Sequence, residues 1–94
     1  MPTVLESYAR RVVVTPQRNG RLDAVYIDLV RLNTGYALIN PLASPVQANF
    51  LVDVLTETQA LTHLRAWEDR PKAPDGSLST ITREGQRWLR KAGA

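Results

Sequence analysis

Nothing in this chain can be stapled through sulfur, because its 94 residues include no cysteine. A disulfide framework, a thiolate zinc site and a redox thiol are therefore all excluded. A chain of this length has room for one domain, and that domain must hold together by burying apolar surface. The composition permits this: 44% of residues are hydrophobic and 22% charged, unlike the weakly hydrophobic chains that stay disordered. No stretch approaches the ~18 apolar residues of a membrane span. The absence of cysteine points to a reducing compartment. The segment Met1-Pro2-Thr3-Val4-Leu5-Glu6 also lacks the basic-then-apolar order of a secretory signal. A cytoplasmic protein without membrane association is the expectation.

Local patterning gives the order of elements. Thr3 with Glu6 has capping-box spacing, and Val4, Leu5, Tyr8 and Val12 follow at helical intervals. The β-branched run Val12-Val13-Val14-Thr15 ahead of Pro16 favours extended chain. The reading is a short N-terminal helical turn passing into a strand. Gln17-Arg18-Asn19-Gly20 is a turn signal, since Asn and Gly tolerate the positive φ of hairpins. From Leu22 to Leu32 two templates compete. One is a helical face of Leu22, Val25, Tyr26, Leu29 and Leu32; the other is a strand with Val25, Ile27 and Leu29 on one side. The β-branched and aromatic content favours the strand. Asn33-Thr34-Gly35 then turns the chain into a further strand, Tyr36-Ala37-Leu38-Ile39.

Ser44-Pro45-Val46-Gln47 combines an N-cap serine, proline at the first helical position and a capping-box glutamine. It predicts a helix from there to Arg70, before Pro71. Thr56 with Gln59 is a second cap, which would split that helix near Val54. Pro71 to Ser79 reads as a loop, and a last helix begins near Thr82 and ends by Gly93. The predicted fold is α+β: a small antiparallel sheet over about residues 12–40 with two C-terminal helices packed on it. The alternative is mostly α, should residues 22–33 follow the helical template.

The net charge is +3, from 12 Lys and Arg against nine Asp and Glu, with a pI near 9.8. It is unevenly spread. Residues 1–31 carry five arginines against three carboxylates, residues 32–82 three cations against five, and residues 83–94 four against one. The first 82 residues are thus neutral, and the excess sits in the last helix. On a wheel of ~100° per residue, Arg83, Arg87, Arg90 and Lys91 share one side. Ile81, Gly85, Trp88, Leu89 and Ala92 take the other. Such a helix docks through Trp88 and Leu89 and presents cations, either to phosphates or simply to its own macrodipole. The dipole accounts for Arg87, Arg90 and Lys91, but not for Arg83 at the opposite end.

The segment Leu78 to Leu89, with its Thr82-x-x-Gly85-x-x-Trp88-Leu89 spacing, is similar to the strand-then-helix ends of winged-helix regulators. The likeness is confined to those residues. No helix-turn-helix can be placed upstream, and no family is assigned.

The remaining inventory is poor in catalytic chemistry. His63 is the only histidine, and on a helix its neighbours four residues away are Gln59 and Trp67, neither an orienting acid. Asp53 and Glu57 would share a face of a continuous helix, but two carboxylates alone make an incomplete metal site. Glu68-Asp69 beside Arg65 and Arg70 reads as surface ion pairing. The glycines at 20, 35, 76, 85 and 93 assemble no phosphate-cradling loop. Ser77 in Asp75-Gly76-Ser77 belongs to a turn rather than a nucleophile elbow. Trp67 and Trp88 read as core anchors; with Tyr8, Tyr26 and Tyr36 they are also candidates for base stacking if exposed on a sheet. No enzyme activity, metal or cofactor is expected.

Two functions follow as expectations. The first is a small non-enzymatic nucleic-acid-binding or regulatory module of bacterial or phage type. It would place Arg83, Arg87, Arg90 and Lys91 on DNA or RNA phosphates, with Arg10, Arg11, Arg18 and Arg21 as a second contact surface. The second is a protein–protein interaction module, an adaptor or inhibitor. A homo-oligomer could form through a face of Val25, Ile27 and Leu29, or through a free sheet edge. If the last helix's cations join those near residues 10–21 in one patch, the first reading gains. If they point in opposite directions, a helix-end explanation of the charge suffices.

Overall fold

The valine- and tyrosine-rich first half of the chain is built of strands. The computed structural model describes residues 3–44, 46–69 and 78–93. Its strands are β1 (Val4–Pro16), β2 (Leu22–Leu32), β3 (Gly35–Ile39), β4 (Leu51–Leu55) and β5 (Leu78–Ile81). Its helices are α1 (Glu57–Asp69) and α2 (Arg83–Ala92), and a single 3₁₀ turn spans Ala48–Phe50. The strands form one antiparallel sheet in the order β4-β3-β2-β1-β5. The fold is therefore α+β, and the stretch from Leu22 to Leu32 is a strand.

Strand alternation sends Leu29 and Leu38 to one face, where both helices pack. There they meet Ala9, Leu55, Ala60, Leu64, Trp67 and Leu89 in the main core. The 60/64/67 spacing is one face of α1, and Leu29 and Leu64 are wholly buried, each contributing about 2–3 kcal/mol. On the other face Val30, Leu32, Ala37 and Ile39 are covered by Phe50 and the segment leading to it. Leu29 lies inside the core, Ile27 is half-buried, and of the Val25, Ile27, Leu29 trio only Val25 is exposed. That trio is not an open face for symmetric pairing.

The sheet is larger than the sequence suggests, and the N-terminal helical turn does not form. The Thr3 amide donates to Asn33 Oδ1 at 3.1 Å and the Asn33 amide donates to the Thr3 carbonyl at 3.0 Å. Thr3 is thus tied to the β2–β3 turn instead of capping a helix. Val4 and Glu6 pair with Leu32 and Arg31. The helix-like spacing of Leu5 and Tyr8 reflects two slips in register, one residue at each position. The slip at Tyr8 puts both Tyr8 and Ala9 into the helix-side core, which a regular strand cannot do.

A helix starting at Ser44 also fails. Its capping contacts form, with the Ser44 amide donating to Gln47 Oε1 at 3.2 Å. Pro45, expected at the first helical position, lies outside the described residues. The chain makes only the 3₁₀ turn and then pairs β4 with β3. Pairing lets Phe50 fill one face of the sheet and Leu55 the other, which one helical face could not do. The helix begins instead at the second cap. Thr56 Oγ1 accepts from the Gln59 amide at 3.1 Å, while Gln59 Oε1 accepts from the Thr56 amide at 2.9 Å. Most of the loop expected at Pro71 to Ser79 falls outside the described residues, but Leu78 and Ser79 belong to β5. No described helix is long and apolar enough to cross a membrane.

Candidate functional site

The last helix is fixed to the sheet by a few short-range contacts. Thr82 caps it: its Oγ1 accepts from the Gly85 amide at 3.1 Å and donates to the Ser7 and Tyr8 carbonyls at 2.7 and 3.0 Å. The Thr82 amide adds a bond to the Tyr8 carbonyl at 2.9 Å. Gly85 lies against that carbonyl so closely that a β-carbon there would collide with it. Leu89 enters the core and Gly93 closes the helix, its amide donating to the Leu89 carbonyl. With Gly85 and Leu89 turned inward, Arg83, Arg87, Arg90 and Lys91 are all exposed, as the wheel predicts.

Their surroundings differ. Arg87 is 3.1 Å from Glu84. Arg83, Arg90 and Lys91 have no carboxylate at ion-pair distance among the described residues. Arg90 borders a shallow cleft with Arg65 and Glu68 on the α1 side. Arg65 itself reaches the Ala92 carbonyl at 3.5 Å and has no carboxylate, Glu68 included, at ion-pair distance among the described residues. The Asp69 side chain and Arg70, also expected to form surface ion pairs, lie outside the described residues.

On the other side of α2, Arg87 and Lys91 meet Arg31 around a cleft of about 350 Å³. Its aromatic lining is Tyr8, Tyr36 and Trp88. Trp88 and Tyr36 stack with centroids 5.3 Å apart and planes 19° from parallel, and Tyr8 lies 4.6 Å from Trp88. The cleft also carries Glu6 and Glu84. Glu6 Oε2 accepts from the Tyr8 hydroxyl at 2.8 Å and lies 3.5 Å from Arg31 Nε. Burial, then the neighbouring Glu6 carboxylate, raises the Tyr8 phenol well above its ordinary range, so it stays protonated as a donor.

The N-terminal cations are elsewhere. Arg10 projects from the opposite face of the sheet and holds the buried Asp28 through two bonds of 2.8 and 3.1 Å. That pairing raises the Arg10 pKa, and Tyr26 lies 5.8 Å beneath its guanidinium. Arg11 donates to Ser79 Oγ at 2.6 Å. Arg18 and Arg21 flank the β1–β2 turn, roughly 30 Å from Tyr8 at ~3.3 Å per strand residue. The sequence-predicted cations therefore do not form one surface: the α2 set stands together, and the other four do not join it. Arg31 takes their place. It was legible only through strand pairing, because it follows Leu29 by two residues and faces Tyr36 across the hairpin.

The other chemical candidates sit apart from this cleft. His63 is on α1 with its ring edge-on to Trp67 at 6.2 Å. Asp53 is on β4 and Glu57 on α1, so they do not share a helix face. Among the described residues no three His, Cys, Asp or Glu side chains converge as metal ligands. Trp67 is core, whereas Trp88 is only partly buried.

Fold and site together define a small α+β protein with a basic helix beside an aromatic cleft. No known protein family matches the chain, and no curated protein or solved structure shows significant similarity to it.

Proposed function

We propose that this is a small, non-enzymatic nucleic-acid-binding module of bacterial or phage type that contacts phosphates through α2. The reading is carried by one observation: the exposed side of α2 presents four cations, three of them without a carboxylate partner among the described residues. A macrodipole accounts for cations in the last turn only. It leaves unexplained Arg83 in the first turn and Arg31, which reaches the same surface from β2. The lack of cysteine fits a cytoplasmic protein. Anisotropy titrations of labelled single strands and duplexes, at low and moderate salt, test the proposal. Affinity should fall steeply with salt, and Arg83→Gln, Arg90→Gln and Lys91→Gln should each lower the salt slope by about 0.7–0.9. Absence of binding at low salt would overturn it.

A protein-interaction role, with a partner or a second copy, is supported by a different surface. Leu42, Val46, Val52 and Val54, on β4 and the segment leading to it, are 50–77% exposed. β4 is also a sheet edge, although Asp53 places a charge on it that opposes strand addition. Light-scattering mass and the absorbance ratio of the purified protein separate the two roles. A defined oligomer free of nucleic acid favours the second.

A further inference from the structure

We infer that the cleft between α2 and strands β1 to β3 is a subsite for one unpaired nucleobase together with its phosphate. The inference rests on the nucleic-acid reading and makes it specific for single strands. At about 350 Å³ the cleft is near the lower limit of small-ligand sites, ~300–1,000 Å³. That suits one base and excludes a base pair still stacked in a duplex. Its aromatic lining is a stacked pair, Tyr36 and Trp88, both partly exposed, backed by the buried Tyr8, whose ring is tilted 46° against Trp88. A flat aromatic ligand extends such a stack, and every base has a π-face to do so.

The charges select what accompanies the ring. Arg31 and Arg87 are each oriented by a carboxylate, Glu6 and Glu84, whereas Lys91 has no such partner among the described residues. Three cations against two carboxylates leave one net positive charge at the cleft. That matches a single phosphodiester and disfavours a polyphosphate. Tyr36 and Trp88 stack and Tyr8 packs tilted against Trp88, so the rings fill the space between them and do not form an aromatic cage for a quaternary ammonium group.

Tryptophan fluorescence reads the site directly, since Trp67 is buried in the core and Trp88 borders the cleft. The probes are adenosine monophosphate, a short oligoadenylate and the same oligomer in a duplex. The oligomer should quench emission saturably and the duplex should not. Trp88→Phe should remove the quenched component. Tyr36→Leu should weaken strand binding on the order of tenfold with little change in salt slope, whereas Lys91→Gln should lower the slope and keep the quench at saturation. Saturable quenching by the monophosphate as well identifies a free nucleotide as a ligand; quenching by the strand alone identifies a strand subsite. A wild-type protein that binds the oligomer without quenching, or binds duplex equally well, overturns the subsite and leaves the phosphate-binding reading intact. No binding of any probe at low salt removes both.

Discussion

Gly85 of α2 is packed against the carbonyl oxygen of Tyr8 in β1 with no room for a β-carbon. This contact sets how close the basic helix lies to the sheet, and it brings Trp88, one turn further on, over Tyr8 and Tyr36. Glycine inside an exposed helix is ordinarily about 1 kcal/mol worse than alanine. Here the sign reverses. Gly85→Ala should destabilise the fold by about 3 kcal/mol, because the obstacle is backbone and cannot rotate away. Urea unfolding checks this, and a stabilised variant would show that α2 is not held at this distance.

The two threonine caps should differ in worth. Among the described residues the Thr56 side chain bonds only the Gln59 amide of its own capping box, so Thr56→Ala should cost about 1 kcal/mol. Thr82 caps α2 and also donates to the Ser7 and Tyr8 carbonyls. Thr82→Ala should therefore cost about 2 kcal/mol, as those part-buried carbonyls lose a donor. Equal losses would show that the bonds between helix and strand contribute nothing.

Alkaline stability should report the Tyr8 phenol. Its folded pKa is raised by burial and by Glu6, so below pH of about 10 both folded and unfolded chains keep the proton. Above that, the unfolded chain releases a proton that the folded chain retains, and stability falls as pH rises. Tyr8→Phe should cost about 1 kcal/mol near neutrality through the lost hydrogen bond and should flatten the alkaline decline. Parallel pH curves for the two proteins would assign the decline to other groups.

Arg10 and Arg90 should separate stability from binding. Arg10→Gln deprives Asp28, only 6% exposed, of its partner. It should lower stability by about 1–2 kcal/mol and leave nucleic-acid affinity and salt slope unchanged. Arg90→Gln should do the reverse, with a stability change within about 0.5 kcal/mol and a reduced salt slope. A loss of affinity in Arg10→Gln would place the binding surface on the opposite face of the sheet.

The amino-acid sequence by itself determined what short-range physics determines. The turns at Asn19-Gly20 and Asn33-Thr34, the strand character of Val12–Thr15, and the last helix from its Thr82 cap to Gly93 all follow from residues within a few positions of one another. So do the four-cation side of that helix and its apolar back. Leu22–Leu32, by contrast, fits a helical template too and is a strand through its pairing with β1 and β3. Tertiary structure alone decided between equivalent local signals. Thr3/Glu6, Ser44/Gln47 and Thr56/Gln59 offer the same capping chemistry, and only the last starts an α-helix. The other two sit next to segments that gain more by pairing with β2 or β3 and filling both faces of the sheet. The cleft is a product of register as well. Tyr8, Arg31, Tyr36 and Trp88 span eighty residues of chain, and they meet because a one-residue slip in β1 turns Tyr8 toward the helices while β2–β3 pairing sets Arg31 beside Tyr36. A one-residue difference in register reverses every side chain of a strand. Local patterning therefore locates the cations of α2, whereas the rings and the arginine beside them are placed only by the long-range pairing of the sheet.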